Sequence, residues 1–123
     1  MVHNGKVVAF VATSNGPRAR AFYEGVLGLR VVGDDDFALA LDSNGTLVRV
    51  SKMKEAPALA HTVLGWEVAD IASSVRALTD RGVSFERYAH FEQDELGIWT
   101  APSGARVAWF KDPDGNVLSL SQS

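Results

Sequence analysis

Apolar and polar positions along the chain alternate in blocks that predict a fixed order of elements. Val7-Val8-Ala9-Phe10-Val11-Ala12 is an apolar run of strand length. Ser14-Asn15-Gly16-Pro17 follows, with a capping side chain and an early proline that predict a helix start. From Arg18 to Val26, Ala19, Phe22, Tyr23 and Val26 recur at helical spacing on one face, and Gly28 supplies the stop. Three short strands are expected next: Leu29–Val32, Phe37–Leu41 and Thr46–Val50. The last two are joined by Asp42-Ser43-Asn44-Gly45.

The same order then recurs. Val63–Val68 reads as a strand, Asp70 as a cap, and Ile71, Val75 and Leu78 as one face of a helix that Gly82 ends. Strands are expected at Val83–Glu86, Arg106–Phe110 and Val117–Leu120. Asn15 and Asp70 are 55 residues apart, as are Val8 and Val63, so strand and cap repeat in register. Helices are therefore predicted near residues 16–27 and 70–81. The chain reads as α+β, two tandem βαβββ modules over residues 6–51 and 62–122 with a linker at 52–61. Lys52, Lys54, Glu55 and Pro57 in the linker suit an exposed connection.

The final strand–turn–strand, Val107 to Leu120, carries Asp112-Pro113-Asp114-Gly115-Asn116 between two apolar runs, a hairpin with φ preset by proline and a left-handed glycine. This stretch resembles the C-terminal signature of the vicinal oxygen chelate superfamily. That superfamily holds glyoxalase I, extradiol dioxygenases, fosfomycin resistance enzymes and bleomycin-binding resistance proteins. Phe22-Tyr23 with Leu27-Gly28-Leu29 is similar to the signature of its first module. The resemblance covers essentially the whole chain. It implies one domain over residues 1–123 whose two modules form a curved, cup-shaped mixed sheet, helices outside and ligand inside.

The family's metal enzymes use His, Gln or Glu on the first strand of each module and Glu on the last. Carried onto this sequence, those positions are Val8, Val63, Arg49 and Ser119. Valine has no lone pair, arginine is a permanent cation, and a serine hydroxyl is a poor sole ligand. A catalytic divalent metal wants three good N or O donors and an open position. No metal and no cofactor are expected at the matched positions. A shifted site would draw on His61, Glu67, His90, Glu92, Asp94 and Glu95, although their spacing does not require one. His3 gets no role, and Asp34-Asp35-Asp36 reads as a solvated turn. No serine lies in a Gly-x-Ser-x-Gly arrangement, and there is no glycine-rich phosphate loop.

Strand alternation sorts the rest. Val8, Phe10, Ala12, Val63, Gly65, Glu67, Arg49, Val107, Trp109, Val117 and Ser119 are expected to face the cup, with His90 and Phe91, ahead of the Gly97-Ile98-Trp99 strand, at its mouth. Such a set suits a small organic ligand, with Trp109, Phe10 and Trp99 as stacking surfaces and Arg49 and Glu67 as opposite charges. The alternatives are that Trp109 and Phe10 fill core, and that the two charges neutralise each other or reach solvent at the rim. The ligand-binding candidates are thus Val8, Phe10, Arg49, Val63, Glu67, His90, Trp99, Trp109 and Ser119, with no catalytic residue.

Composition narrows the partners. The 123 residues carry a net charge of −3, which gives no electrostatic case for nucleic acid or an anionic membrane. There is no cysteine, so disulfides, thiolate metal sites and a cysteine nucleophile are excluded. The polar N-terminus lacks a signal-peptide core, and no apolar stretch is long enough to span a bilayer; a cytoplasmic location is expected. The leading expectation is a metal-free small-molecule binding protein that sequesters an antibiotic or aromatic metabolite and acts as a homodimer. The alternatives are a metal-dependent lyase, isomerase or dioxygenase with shifted ligands, and a regulatory or vestigial domain whose cavity is self-filled.

Overall fold

The computed structural model describes residues 1–123, which divide into two compact units, Met1–Pro57 and Ala58–Ser123. In the first unit, β1 (Val8–Thr13) leads into the helix α1 (Gly16–Arg20). The Asn15 side chain caps it by accepting from the Arg18 N–H at 3.0 Å, and Pro17 occupies the first turn. The helix continues as a π-helical segment, Ala21–Val26, and ends on Gly28 with φ +77°. The sequence spacing predicts helix over residues 16–27 but not the widened turn, in which Leu27 N–H reaches the Phe22 carbonyl five residues back.

Strands β2 (Arg30–Asp34), β3 (Ala38–Ser43) and β4 (Thr46–Lys52) complete a four-stranded sheet in the order β1-β4-β3-β2. β1 runs parallel to β4 and the other pairs are antiparallel. Asn44 (φ 48°) and Gly45 (φ 93°) make the two-residue turn between β3 and β4, as the Asn-Gly dipeptide predicts. Val11, Leu39, Leu41, Val48 and Val50 are buried with Ala19 and Tyr23 of the helical segment. Each of the buried valines and leucines contributes roughly 1.5–3 kcal/mol by leaving water.

The second unit repeats the plan. β5 (Thr62–Glu67) precedes α2 (Ile71–Asp80), whose Asp70 cap accepts from the Ser73 N–H at 3.1 Å. β6 (Trp99–Thr100), β7 (Arg106–Lys111) and β8 (Val117–Gln122) follow, in the order β5-β8-β7-β6. α2 packs on β7 and β8, and Ile71, Val75, Ala108, Phe110, Leu118 and Leu120 form the buried side. Trp66 stacks on Phe110 at 6.5 Å and Phe85 meets the same ring at 5.4 Å. The β7–β8 turn is built on buried Asp112, whose carboxylate accepts from the N–H groups of Asp114 and Asn116 and from the Asn116 side chain.

The second unit departs from the sequence pattern in one element. Val83–Glu86 is not a strand. Phe85 is drawn onto Phe110, and only Glu86 touches the edge of β7, its N–H donating to the Trp109 carbonyl at 2.8 Å. The two-residue β6 takes the edge instead, pairing Trp99 with Val107 and Thr100 with Arg106. Each unit thus forms a four-stranded mixed sheet with a helix after its first strand, and the whole is α+β.

Candidate functional site

In each unit the helix covers one face of the sheet, and register fixes what the other face carries. In the first unit, Phe10 lies beside Arg49, which lies beside Ala40; Val8 lies beside Leu47. Phe10 is 60% exposed and Val8 39%, whereas Arg49 is half-buried. Phe10 therefore fills no core. The three predicted residues of this unit, Val8, Phe10 and Arg49, share one open face.

Asp34-Asp35-Asp36 in the same unit spans the end of β2 and the organised turn after it. The Asp34 carboxylate accepts from Lys52 Nζ at 2.5 Å and from Arg20 at 3.1 Å. These bonds, Lys52 first, hold its carboxyl below the usual carboxylate range. The Asp35 carboxylate accepts from the Ala38 and Phe37 N–H groups, which lowers its carboxyl as well.

In the second unit the open face has two rows. Gly65, Ser119 and Trp109 lie side by side across β5, β8 and β7, and Glu67, Ser121, Val107 and Trp99 form the next row. Gly65 has a packing reason: a Cβ there would sit 2.5 Å from the Ser119 hydroxyl oxygen. Val63 falls in an irregularity of β5, between Thr62 paired to Val117 and Leu64 paired to Leu118. Glu67 is exposed at the end of β5 and accepts from the Ser123 hydroxyl.

On this face the rings converge. Phe91 stacks on Trp109 with centroids 5.2 Å apart and planes 5° from parallel, and meets Trp99 at 4.5 Å. Tyr88 stands edge-on to Trp109 at 5.5 Å, His90 lies 4.3 Å from Phe91, and Trp99 and Trp109 are 5.9 Å apart. Separations of 4.5–7 Å are those at which aromatic pairs attract beyond simple burial. A depression of about 280 Å³ opens beside them, lined by His61, Thr62, Tyr88, His90, Phe91 and Trp109 among others. A larger one of about 890 Å³ is lined by His90 through Asp94, Ile98, Trp99 and Thr100 of the same loop and the strand after it.

Gln93 holds this loop. Its Nε2 donates to the carbonyls of Glu86 and Gly97, and its Oε1 accepts from the Tyr88 N–H, at 2.8–2.9 Å. Arg87 donates to the Glu95 carbonyl, and the Asp94 carboxylate accepts from the N–H groups of Leu96 and Ile98. Of the predicted residues, His90, Trp99 and Trp109 meet in one cluster, and Ser119 borders Trp109. Val63 and Glu67 lie outside it. Tyr88 and Gln93 were not anticipated; the signal for Tyr88 was the aromatic run Tyr88-Ala89-His90-Phe91 inside a polar segment.

The donor chemistry does not fit a catalytic metal. Nowhere do three or more His, Asp or Glu side chains converge to hold an ion. Val8, Val63, Arg49 and Ser119 offer between them one neutral hydroxyl and no imidazole or carboxylate. Asp94 is committed to its turn, and His61 and His90 alone fall short of three donors.

Residues 6–120 match the family model of the glyoxalase/bleomycin resistance protein/dioxygenase superfamily, and the chain belongs to that family. Solved structures agree in fold. A superfamily member from Sphaerobacter thermophilus is 24% identical with a TM-score of 0.75, covering 97% of each chain. A lactoylglutathione lyase from Agrobacterium tumefaciens is 14% identical with a TM-score of 0.75, over 97% of this chain and 93% of that one. A glyoxalase/bleomycin resistance protein from Catenulispora acidiphila is 20% identical with a TM-score of 0.70, over 96% and 97%. No curated protein matches the sequence. No helix is long and apolar enough to cross a membrane.

Proposed function

We propose that this member of the family is a metal-free, cytoplasmic small-molecule binding protein that takes an aromatic or partly planar organic ligand, such as an antibiotic or metabolite. The observation that carries the reading is the cluster of Tyr88, His90, Phe91, Trp99 and Trp109 beside a depression of about 280 Å³. Aromatic walls with a few polar groups suit burial of a planar ring, with the imidazoles, the Tyr88 hydroxyl and Ser119 available to orient it. The absence of cysteine and of converging carboxylates or imidazoles leaves binding as the simplest use of the face.

The reading includes a homodimer. β1 and β5 are each at an edge of their sheets, and β1 exposes Val8 and Phe10, apolar surface that a second copy would cover. Replacing Phe10 by Asp is expected to shift a dimer toward monomer in analytical ultracentrifugation. A wild-type chain that sediments as a monomer throughout would remove this part of the proposal.

A second reading, a metal-dependent lyase, isomerase or dioxygenase, draws on His61 and His90 lining one depression and on the fold shared with a lactoylglutathione lyase. Metal analysis after exhaustive buffer exchange separates the two. The binding reading expects no stoichiometric zinc, iron, manganese or nickel. A tightly held metal that is lost in His61→Ala or His90→Ala would establish the second.

A further inference from the structure

The ring nearest to Trp109 in parallel stacking belongs to the protein itself. Phe91 lies over it with planes 5° apart at 5.2 Å, and its ring also meets Trp99 at 4.5 Å. A flat apolar ring is therefore what the slot beside Trp99 and Trp109 accommodates. The segment that delivers this ring is tied down on both sides but not at its tip. Tyr88 N–H and the carbonyls of Glu86 and Gly97 are bonded to the Gln93 side chain, and Gln93 pairs with Trp99 in an isolated bridge. Between these ties the only backbone bond is Phe91 N–H to the Tyr88 carbonyl, and no hydrogen bond holds Ala89 or His90. Ala89 and His90 are exposed, and Phe91 is half-buried. The tip stays in place through ring contacts, the same contacts an aromatic ligand would make.

We infer that Phe91 is an internal occupant of the ligand slot, which a planar aromatic molecule takes over as the Ala89–Phe91 tip swings outward about a base fixed by Gln93. The inference rests on the aromatic-ligand reading above and adds a competition to it. A slot blocked most of the time by its own side chain binds with an apparent affinity reduced by the open fraction. With the tip closed about nine-tenths of the time, removing the competing ring tightens binding roughly tenfold. Gln93 keeps the tip close to the slot, so the ring returns when the ligand leaves.

The probe is 1-naphthol, a neutral two-ring molecule, titrated into the full chain while the indole N–H signals of Trp99 and Trp109 are followed by NMR. Phe91→Ala is expected to bind it several-fold to tenfold tighter than wild type, with both indole signals moving. Phe91→Leu, which keeps apolar bulk for folding, is expected to fall between. In the wild-type complex, Overhauser contacts between the Phe91 and Trp109 rings are expected to vanish as naphthol contacts to Trp109 appear. Wild-type binding that persists with the Phe91–Trp109 contacts intact, or that weakens in both Phe91 variants, overturns the inference while leaving the binding reading standing. Failure of folded Phe91→Ala and Phe91→Leu to bind the probe at all overturns it too, and the wider ligand screen then judges the binding reading separately.

Discussion

Trp109 carries the most weight of any single residue. It touches Phe91, Tyr88 and Trp99 and stands beside Ser119 on the open face of the second sheet. Trp109→Ala is expected to weaken an aromatic ligand by about 1–3 kcal/mol, the worth of one lost buried ring contact, with the melting curve still cooperative. Calorimetric titration of both proteins checks this. Gly65 gives a packing test on the same row. A methyl there collides with the Ser119 hydroxyl, so Gly65→Ala should cost about 1–3 kcal/mol of stability, and Ser119→Ala in the same chain should recover part of it. Asp34 gives a pH test. Its folded carboxyl is held below its unfolded value, so its contribution is present above the unfolded value and disappears as pH falls through the folded one. The group is exposed, so the effect is small and screened by salt. Asp34→Asn should flatten the acid limb of the stability curve; an unchanged limb at low ionic strength would show the ion pairs to be idle.

Elements with a strong local signal were legible in the sequence, and those made by tertiary contact were not. Asn15 and Asp70 read as equivalent caps because a side-chain oxygen ahead of an amphipathic run has one common use, and both accept a helix N–H. The Asn44-Gly45 turn and the last hairpin followed from glycine and proline placement. Val83–Glu86 has strand composition, yet Phe85 finds its place on Phe110 rather than in a ladder, a choice that no local pattern encodes. The π-helical turn at Ala21–Val26 escaped notice because residues spaced for an α-helix tolerate it. The loop from Arg87 to Ile98 was the least legible, since one glutamine amide bonds three backbone groups four to seven residues away and rings from outside the loop complete its order. Gln93→Ala is expected to cost about 1–3 kcal/mol and to raise hydrogen exchange at Tyr88. Unchanged exchange there would mean that the rings alone order the loop.

At the scale of the whole chain, the duplicated order, the hairpin signature and the family all pointed to one fold, and the family assignment covers residues 6–120. Function was less legible because this fold hosts unrelated chemistries and activity lives in the residues placed on it. Of the candidate site, the sequence supplied Trp99, Trp109, His90 and Ser119 through alternation and loop position. The closing of Phe91 over Trp109 required the structure. The central claim is that the aromatic face of the second unit binds a planar organic ligand. The most direct measurement is thermal melting of wild type and Trp109→Ala across a library of aromatic metabolites and natural-product antibiotics. A ligand that binds only the folded chain raises Tm with concentration. The expected result is at least one compound that raises the wild-type Tm dose-dependently and raises that of Trp109→Ala less at every concentration. Compounds that shift both proteins equally, or a broad library that shifts neither, would contradict the claim.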